Sequence, residues 1–494
     1  MKLFMPTLLL CFLLSALATA RQSQESGAEP ERPSGLTLCA DGAYDGYTLM
    51  SPCASRTAFL LNLKGEIVHR WEADCPTSGS MILLKNGNLL RLGPRERSPR
   101  FHGPGVGGGR LEEIDWDGNV VWRYLLPGME RWLHHDVEAL PNGNLLLITW
   151  QHLEPKEALA LGRDSEQVSA RGFWVDSVLE IKKVLPASAE IVWQWSARDH
   201  LVQDRNPLLA NFGSVPDLPG RIDINADHRD RPPLTLEEQR EREKIERKMR
   251  ALGYSGDEGD EGAKDDSKAE PNPDWLHTNA VAYNAEYDLI VLSTPHLNEL
   301  WVIDHSTTTK EAASSSGGRW GHGGDLLWRW GNPRTYGAGQ DSDQVLFYQH
   351  DPTWLVGDTP GELRLLVFNN GRGRRGDDYS SIDELILPFD PELGFLRQPG
   401  QAYGPKAPSW TYSAPDSFYS EFISGAERLP NGNTLVCSGV PGRIFEVTTE
   451  GRIVWEYWNS YRGERIGGPS QVRTAVFRAN RISKDHPGLA GRKL

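Results

Sequence analysis

The chain has 494 residues, 17 tryptophans, 50 glycines and a formal net charge of −14. That negative field argues against nucleic acid as a partner, and any anionic small molecule would need a local basic pocket. The tryptophan and glycine content suits a β-rich protein of many short strands and turns. Past the N-terminus, no run of about 18 apolar residues exists to form a spanning helix.

Residues 1–20 read as an export signal. Lys2 gives a positive start, residues 3–17 are an apolar run too short to span a membrane, and Ala18-Thr19-Ala20 is a small-residue cleavage site. Cleavage after Ala20 implies a secreted or periplasmic protein with no membrane anchor. Residues 21–38 are a polar, flexible leader. The rest of the chain keeps Cys39, Cys53, Cys75 and Cys437, so one or two disulfides are expected in an oxidising compartment. No CxxC pair occurs, which argues against a zinc-thiolate site.

Residues 47–50, 58–61 and 65–71 are three strands without a fourth. A phrase then begins to repeat. Residues 79–88 end in Lys85-Asn86-Gly87-Asn88, residues 134–144 in Leu140-Pro141-Asn142-Gly143-Asn144, and residues 424–433 in Leu429-Pro430-Asn431-Gly432-Asn433. Each is a strand, an Asn-Gly turn and a second strand. Looser copies lie at 276–284 and 349–357. After each hairpin comes another strand pair whose outer member carries tryptophan or tyrosine, as in Val121-Trp122-Arg123-Tyr124 and Val454-Trp455-Glu456-Tyr457. Units of four strands at irregular spacing indicate a β-propeller. Five units fill residues 79–457, and a strand at 472–477 would complete the N-terminal three and close the ring. The predicted fold is therefore all-β: a six-bladed propeller over residues 39–482, with a tail at 483–494.

One insertion, residues 199–272, breaks the rhythm. Thr235-Leu236-Glu237-Glu238 starts a charged helix over about 235–252, and the Gly-, Asp- and Glu-rich stretch 255–269 reads as disordered. The insertion is either a surface excursion or a lid on the channel. A glycine-rich run at 103–109 lacks the strand and helix of a nucleotide site and reads as a plain loop.

Aligning the five hairpins on their turns exposes one position, seven residues upstream. Its occupants are Gly79, His135, His277, His350 and Ser424. If these strands are innermost, three histidines meet at one mouth of the channel. Near them, Phe368-Asn369-Asn370-Gly371 leads into Arg372, Arg374 and Arg375, a loop whose guanidinium forks suit an oxyanion. Three converging imidazoles could instead hold a metal ion, but the arginines beside them favour an anion. The site is read with no metal and no cofactor.

These segments together resemble the bacterial aryl-sulfate sulfotransferases. The resemblance covers nearly all of the chain after the signal and is densest in His134-His135-Asp136, residues 274–279, residues 299–306, Gln349-His350-Asp351, residues 368–371 and residues 422–433. It implies a six-bladed periplasmic propeller that moves a sulfuryl group from an aryl sulfate to a phenol acceptor without a nucleotide donor. By motif, His277, His350 and Arg374 match the sulfate-holding residues, and Asn279, Asn370, Arg372 and Ser424 are assigned to substrate binding. The family's nucleophilic histidine belongs to the last complete blade, yet no histidine occurs between His350 and His486. His135 is the first candidate for that role, as nucleophile or general base. The competing readings are direct transfer between substrates and a non-catalytic propeller that binds an anionic ligand.

Overall fold

The hairpin phrase folds as its turn chemistry dictates. Gly87, Gly143 and Gly432 take φ of +84°, +87° and +86°, where a side chain would be strained. In each turn the first asparagine's Oδ1 accepts the backbone N–H two residues on, from Asn88 (3.0 Å), Asn144 (2.9 Å) and Asn433 (3.1 Å). The computed structural model describes residues 33–95, 98, 100–101, 108–228, 236–251, 271–463 and 474–494. The export signal, the leader up to residue 32, residues 102–107 of the glycine-rich run and residues 252–270 lie outside them.

Six antiparallel blades form a ring. Blade 2 is built from Met81–Leu83, Leu89–Pro94, Gly109–Ile114 and Val120–Leu125. Blade 3 is Arg131–Ala139, Leu145–Leu153, Phe173–Val184 and Ser188–Ser196. Blade 4 is Ala280–Asn284, Leu289–Thr294, Glu299–Asp304 and Trp328–Trp330, and blade 5 is His350–Leu355, Arg364–Asn369, Ser381–Ile386 and Trp410–Ser413. Blade 6 is Gly425–Arg428, Thr434–Ser438, Arg443–Val447 and Ile453–Trp458. Blade 1 is Gly46–Pro52, Thr57–Leu61 and Ile67–Glu72, completed by Val476–Ser483 as its innermost strand. The closing strand thus lies a few residues beyond 472–477. A second closure has no counterpart in the sequence reading. Gly35–Cys39, read as leader, pairs with Ile453–Trp458 as a fifth strand of blade 6.

The period of two along each second strand explains the packing. Leu145 and Leu147 join the core between blades 2 and 3, while Leu146 and Ile148 join the core between blades 3 and 4. Leu289 and Val291 against Ile290 and Leu292 divide in the same way. Six such interfaces complete the circle. The outer-strand tryptophans of blades 2 to 6 latch each of these blades to the next. Trp122 donates to the Ser188 carbonyl (2.9 Å), Trp193 to Thr307 Oγ1 (3.2 Å) and Trp328 to the Gly404 carbonyl (2.8 Å). Trp410 donates to the Thr449 carbonyl (2.9 Å) and Trp455 to the Leu63 carbonyl (2.8 Å). The recurring Trp is thereby explained: it buries a large ring and satisfies a backbone acceptor across the blade boundary.

The insertion leaves blade 3 through a short parallel pair, Leu201–Val202 with Ile222–Asp223. Its helix, Leu236–Ala251, packs where the inner strand of blade 6 begins. Ile245 is buried against Phe422, Ile423 and Phe477, and Lys248 pairs with Glu421. The four cysteines are free thiols, which corrects the expected disulfides. Cys39 is on the outer edge of blade 6 and Cys75 lies beside Arg91, while Cys53 and Cys437 are buried near each other beside Ala475 and Val476 without being bonded.

Candidate functional site

The inner strands of blades 3 and 5 are interrupted where their histidines sit. Leu147 pairs with Val137 and Thr149 with Leu133, so His134, His135 and Asp136 face the single residue Ile148. His350 pairs with Phe368 and Thr353 with Leu366, leaving Asp351 and Pro352 opposite Val367. Blade 1 repeats this where Phe477 and Arg478 lie opposite Ser51. Such bulges re-aim side chains. His135 and His277 both take φ +55°, and Asp351 takes φ +53°.

The rings of His135 and His277 meet edge to face with centroids 4.5 Å apart. Nδ1 of His135 is 2.7 Å from Nδ1 of His134, which stacks on Trp150 at 3.9 Å. His277 bonds through Nδ1 to Oδ2 of Asp274 and stacks on His296 at 4.9 Å. His350 donates from Nδ1 to Asn370 Oδ1 (2.7 Å) and to the Tyr348 carbonyl (3.0 Å), so its Nε2 carries the lone pair. Tyr348 meets His296 at 5.9 Å and lies under the Arg372 guanidinium at 4.1 Å.

Burial sets the charge state. It pushes His134 and His350 down to about 3 and His296 to about 4, and carries His135 well below its ordinary value. These four imidazoles are neutral at pH 7. Two buried carboxyls beneath them are driven apart. Burial, and then the charge of Asp274, raise Asp176 well above the carboxylate range. Burial opposes ionisation of Asp274 too, but its pairing with His277 outweighs it and holds Asp274 below that range. One floor carboxyl is thus protonated and the other ionised.

Deeper in the channel Arg478 bridges two blades. Its Nη1 lies 3.0 Å from Asp136 Oδ1 and its Nε 3.0 Å from Asp351 Oδ1. Asp136 also accepts Val281 N–H (3.1 Å), and Asp351 accepts Ala426 N–H (3.1 Å), so these residues tie inner strands together. A Cβ on Gly425 would sit on the Asp351 carboxylate, which is why glycine stands there.

Of the residues singled out from sequence, the fold gathers His135 and His277 in ring contact, and His350 lies close enough to His277 to interact with it electrostatically. Asn370 orients His350 while donating to the Ser420 and Ile423 carbonyls. Asn279 donates to the Gln349 carbonyl. Arg374 turns back into its own loop, donating to the Tyr379 carbonyl (3.0 Å) and Ser381 Oγ (2.8 Å), and it is Arg372 that leans toward the histidines. Ser424 is buried, with its Oγ bonded to Ser420 Oγ (2.9 Å) and receiving Gly439 N–H (3.0 Å). The three ring histidines do not gather their nitrogens as a metal-ligand set. Among the described residues only Asp74, Cys75 and Glu112 group so closely, and Arg91, Arg110 and Arg123 already pair with Glu112. His296, Asp274 and Arg478 were not picked out from sequence. His296 lies in the loop joining the second and third strands of blade 4, as Arg372 does in blade 5, so aligning those loops would have found it.

A six-bladed propeller with five imidazoles packed close together is the class of protein these observations define. The profile of the arylsulfotransferase (ASST) family matches residues 35–384, and the chain belongs to that family. It is 25% identical over 406 residues to arylsulfate sulfotransferase AssT of Escherichia coli O6:H1, covering 79% of this chain and 58% of that protein. The Lelliottia amnigena AssT is 26% identical over 405 residues with the same coverage. The chain thus spans 58% of the length of these relatives. Among solved structures, a Bacteroides caccae protein of unknown function aligns at TM-score 0.42 and 11% identity, covering 89% of this chain and 99% of its own.

Proposed function

We propose that this protein is an exported sulfotransferase-like enzyme that moves a sulfuryl group from a phenolic sulfate ester to a phenol at the propeller mouth. The observation that carries this reading is the packing of His135 and His277 against each other, with His350 close by, in a chain of the arylsulfotransferase family. Sulfuryl transfer resembles phosphoryl transfer in depending on positioning and on charge spread over three equatorial oxygens. The Arg372 guanidinium can supply positive charge for those oxygens near the mouth. His135 is placed to take the proton from an incoming phenol. No phosphate-binding lysine loop accompanies the site, in keeping with a nucleotide-free reaction. No helix among the described residues is long and apolar enough to cross a membrane.

The test is release of 4-nitrophenolate from 4-nitrophenyl sulfate with and without added phenol, in the absence of nucleotide. Acceptor-dependent release that His350→Ala abolishes is the expected result. Ser424, fully bonded at the position repeat-equivalent to the histidines, favours a second reading, a propeller that binds a sulfated ligand without turning it over. That reading predicts no release over a panel of donors and phenols, with His350→Ala merely weakening ligand binding.

A further inference from the structure

We infer that His277 is the residue that carries the sulfuryl group, with Asp274 as its positioning residue. This rests on the transfer reading above and names the covalent partner that the last blade lacks. Three observations converge on His277. It is the ring histidine whose Nδ1 is bonded to a carboxylate, the one ionised carboxyl beneath the cluster. Its tautomer is thereby fixed: the proton sits on Nδ1, toward Asp274, and the lone pair on Nε2. It is also the most reachable of the three, at 8% exposed against 4% for His135 and 5% for His350.

Charge decides between the candidates. Attack by a neutral imidazole nitrogen on sulfur leaves a positive N-sulfonated ring. Beneath His277 that charge forms beside a carboxylate already in place. Under His350 the Nδ1 partners are the Asn370 amide oxygen and a backbone carbonyl, which orient the ring but bring no compensating charge. Facing Nδ1 of His135 is another neutral imidazole, that of His134. The left-handed backbone at His277 and the parallel bridge between Asp274 and Trp174 hold the pair in register at the head of blade 4.

The first step forms the bond from Nε2 of His277 to sulfur and breaks the sulfur to aryl-oxygen bond. The bonding pair leaves with the phenolate, which is protonated by water, and the Nδ1 proton stays between His277 and Asp274. In the second step an acceptor phenol gives its proton to a neutral imidazole or to water and its oxygen attacks sulfur. The nitrogen to sulfur pair then returns to Nε2.

The full chain is mixed with 4-nitrophenyl sulfate without acceptor, quenched in alkali and mapped by mass for a sulfuryl adduct. The expected result is an adduct on the peptide holding His277 and a burst of about one nitrophenolate per chain. Asp274→Asn should slow that burst roughly 10²- to 10⁴-fold with the KM for the donor little changed. Asp274→Glu should recover part of the rate, which a merely structural role would not give. An adduct on His135 or His350, or acceptor-dependent release with no adduct, overturns the assignment and leaves the transfer reading standing. An undiminished burst in Asp274→Asn overturns the role of Asp274. No release from folded wild-type protein over a donor and acceptor panel overturns both.

Discussion

Glu138 offers the sharpest test of the channel's electrostatics. It lies on the inner strand of blade 3, two residues beyond Asp136, so both point to the same side of the strand. Around it stand Asp136, Asp351 and Arg478, so one guanidinium serves three carboxyls. Burial first, then the charges of Asp136 and Asp351, push Glu138 up to about 8. The folded state therefore holds this proton far more tightly than the unfolded chain, where glutamate ionises near 4.3. The proton's stabilising effect is fully present below the unfolded value and is lost as pH rises toward the folded one. Glu138→Gln is neutral at every pH and escapes that loss. Each tenfold gain in proton affinity on folding is worth about 1.4 kcal/mol, which sets a ceiling of about 5 kcal/mol, and water in the channel reduces this to about 1–2 kcal/mol. Urea unfolding at pH 5 and pH 8.5 measures it. The Gln variant's advantage over wild type should be smaller at pH 5 than at pH 8.5, where it should reach about 1–2 kcal/mol, worth about 1–2 °C in Tm for a chain of this size. An equal gain at both pH values, or a loss at pH 8.5, would refute the reasoning.

Three further outcomes follow from the same structure. Arg478→Met should cost about 3–5 kcal/mol in urea unfolding, because it strands the buried carboxylates of Asp136 and Asp351. Trp455→Phe keeps the ring but leaves the Leu63 carbonyl without its donor, and should lower stability by about 1 kcal/mol without changing the donor KM. In thiol titration of the native protein Cys39 should react fast while Cys53, Cys75 and Cys437 react only on unfolding, and Cys39→Ser should remove the fast phase. A native protein with no titratable thiol would restore the disulfide reading.

The ring was legible because its parts are local. The Asn-Gly turns, the alternating apolar strands and the outer Trp each act within a few residues of their own position, and each repeats. That is enough to count blades, since a four-stranded unit with two apolar faces can only be satisfied by another unit on either side. The second closure was missed because Gly35–Cys39 borrows its partner from Ile453–Trp458 at the other end of the chain. The helix at Leu236–Ala251 was legible from its capping box, but its docking was not. One buried Ile245 among charged residues carries that contact. The disulfides failed for a related reason: a compartment argument says that cysteines can pair, while only the fold says whether they meet. Arg374 and Arg372 lie two residues apart in one loop, and sequence could not show which would turn outward.

Two of the ring histidines stand in a backbone region that favours glycine. His135 and His277 occupy the left-handed region at φ +55°, and Ser424, at the equivalent place in blade 6, takes φ +91°. For a side chain each such conformation costs on the order of 1–2 kcal/mol, which glycine would avoid. Blade 2 shows the alternative, because Gly79 stands at that position. A Cβ there would strike the His135 carbonyl, so the small residue of one blade makes room for the histidine of the next. Glycine or a fully bonded serine thus serves at the equivalent position of blades 2 and 6, and where the chain keeps His350 and His277 it also supplies Asn370 and Asp274 to aim them.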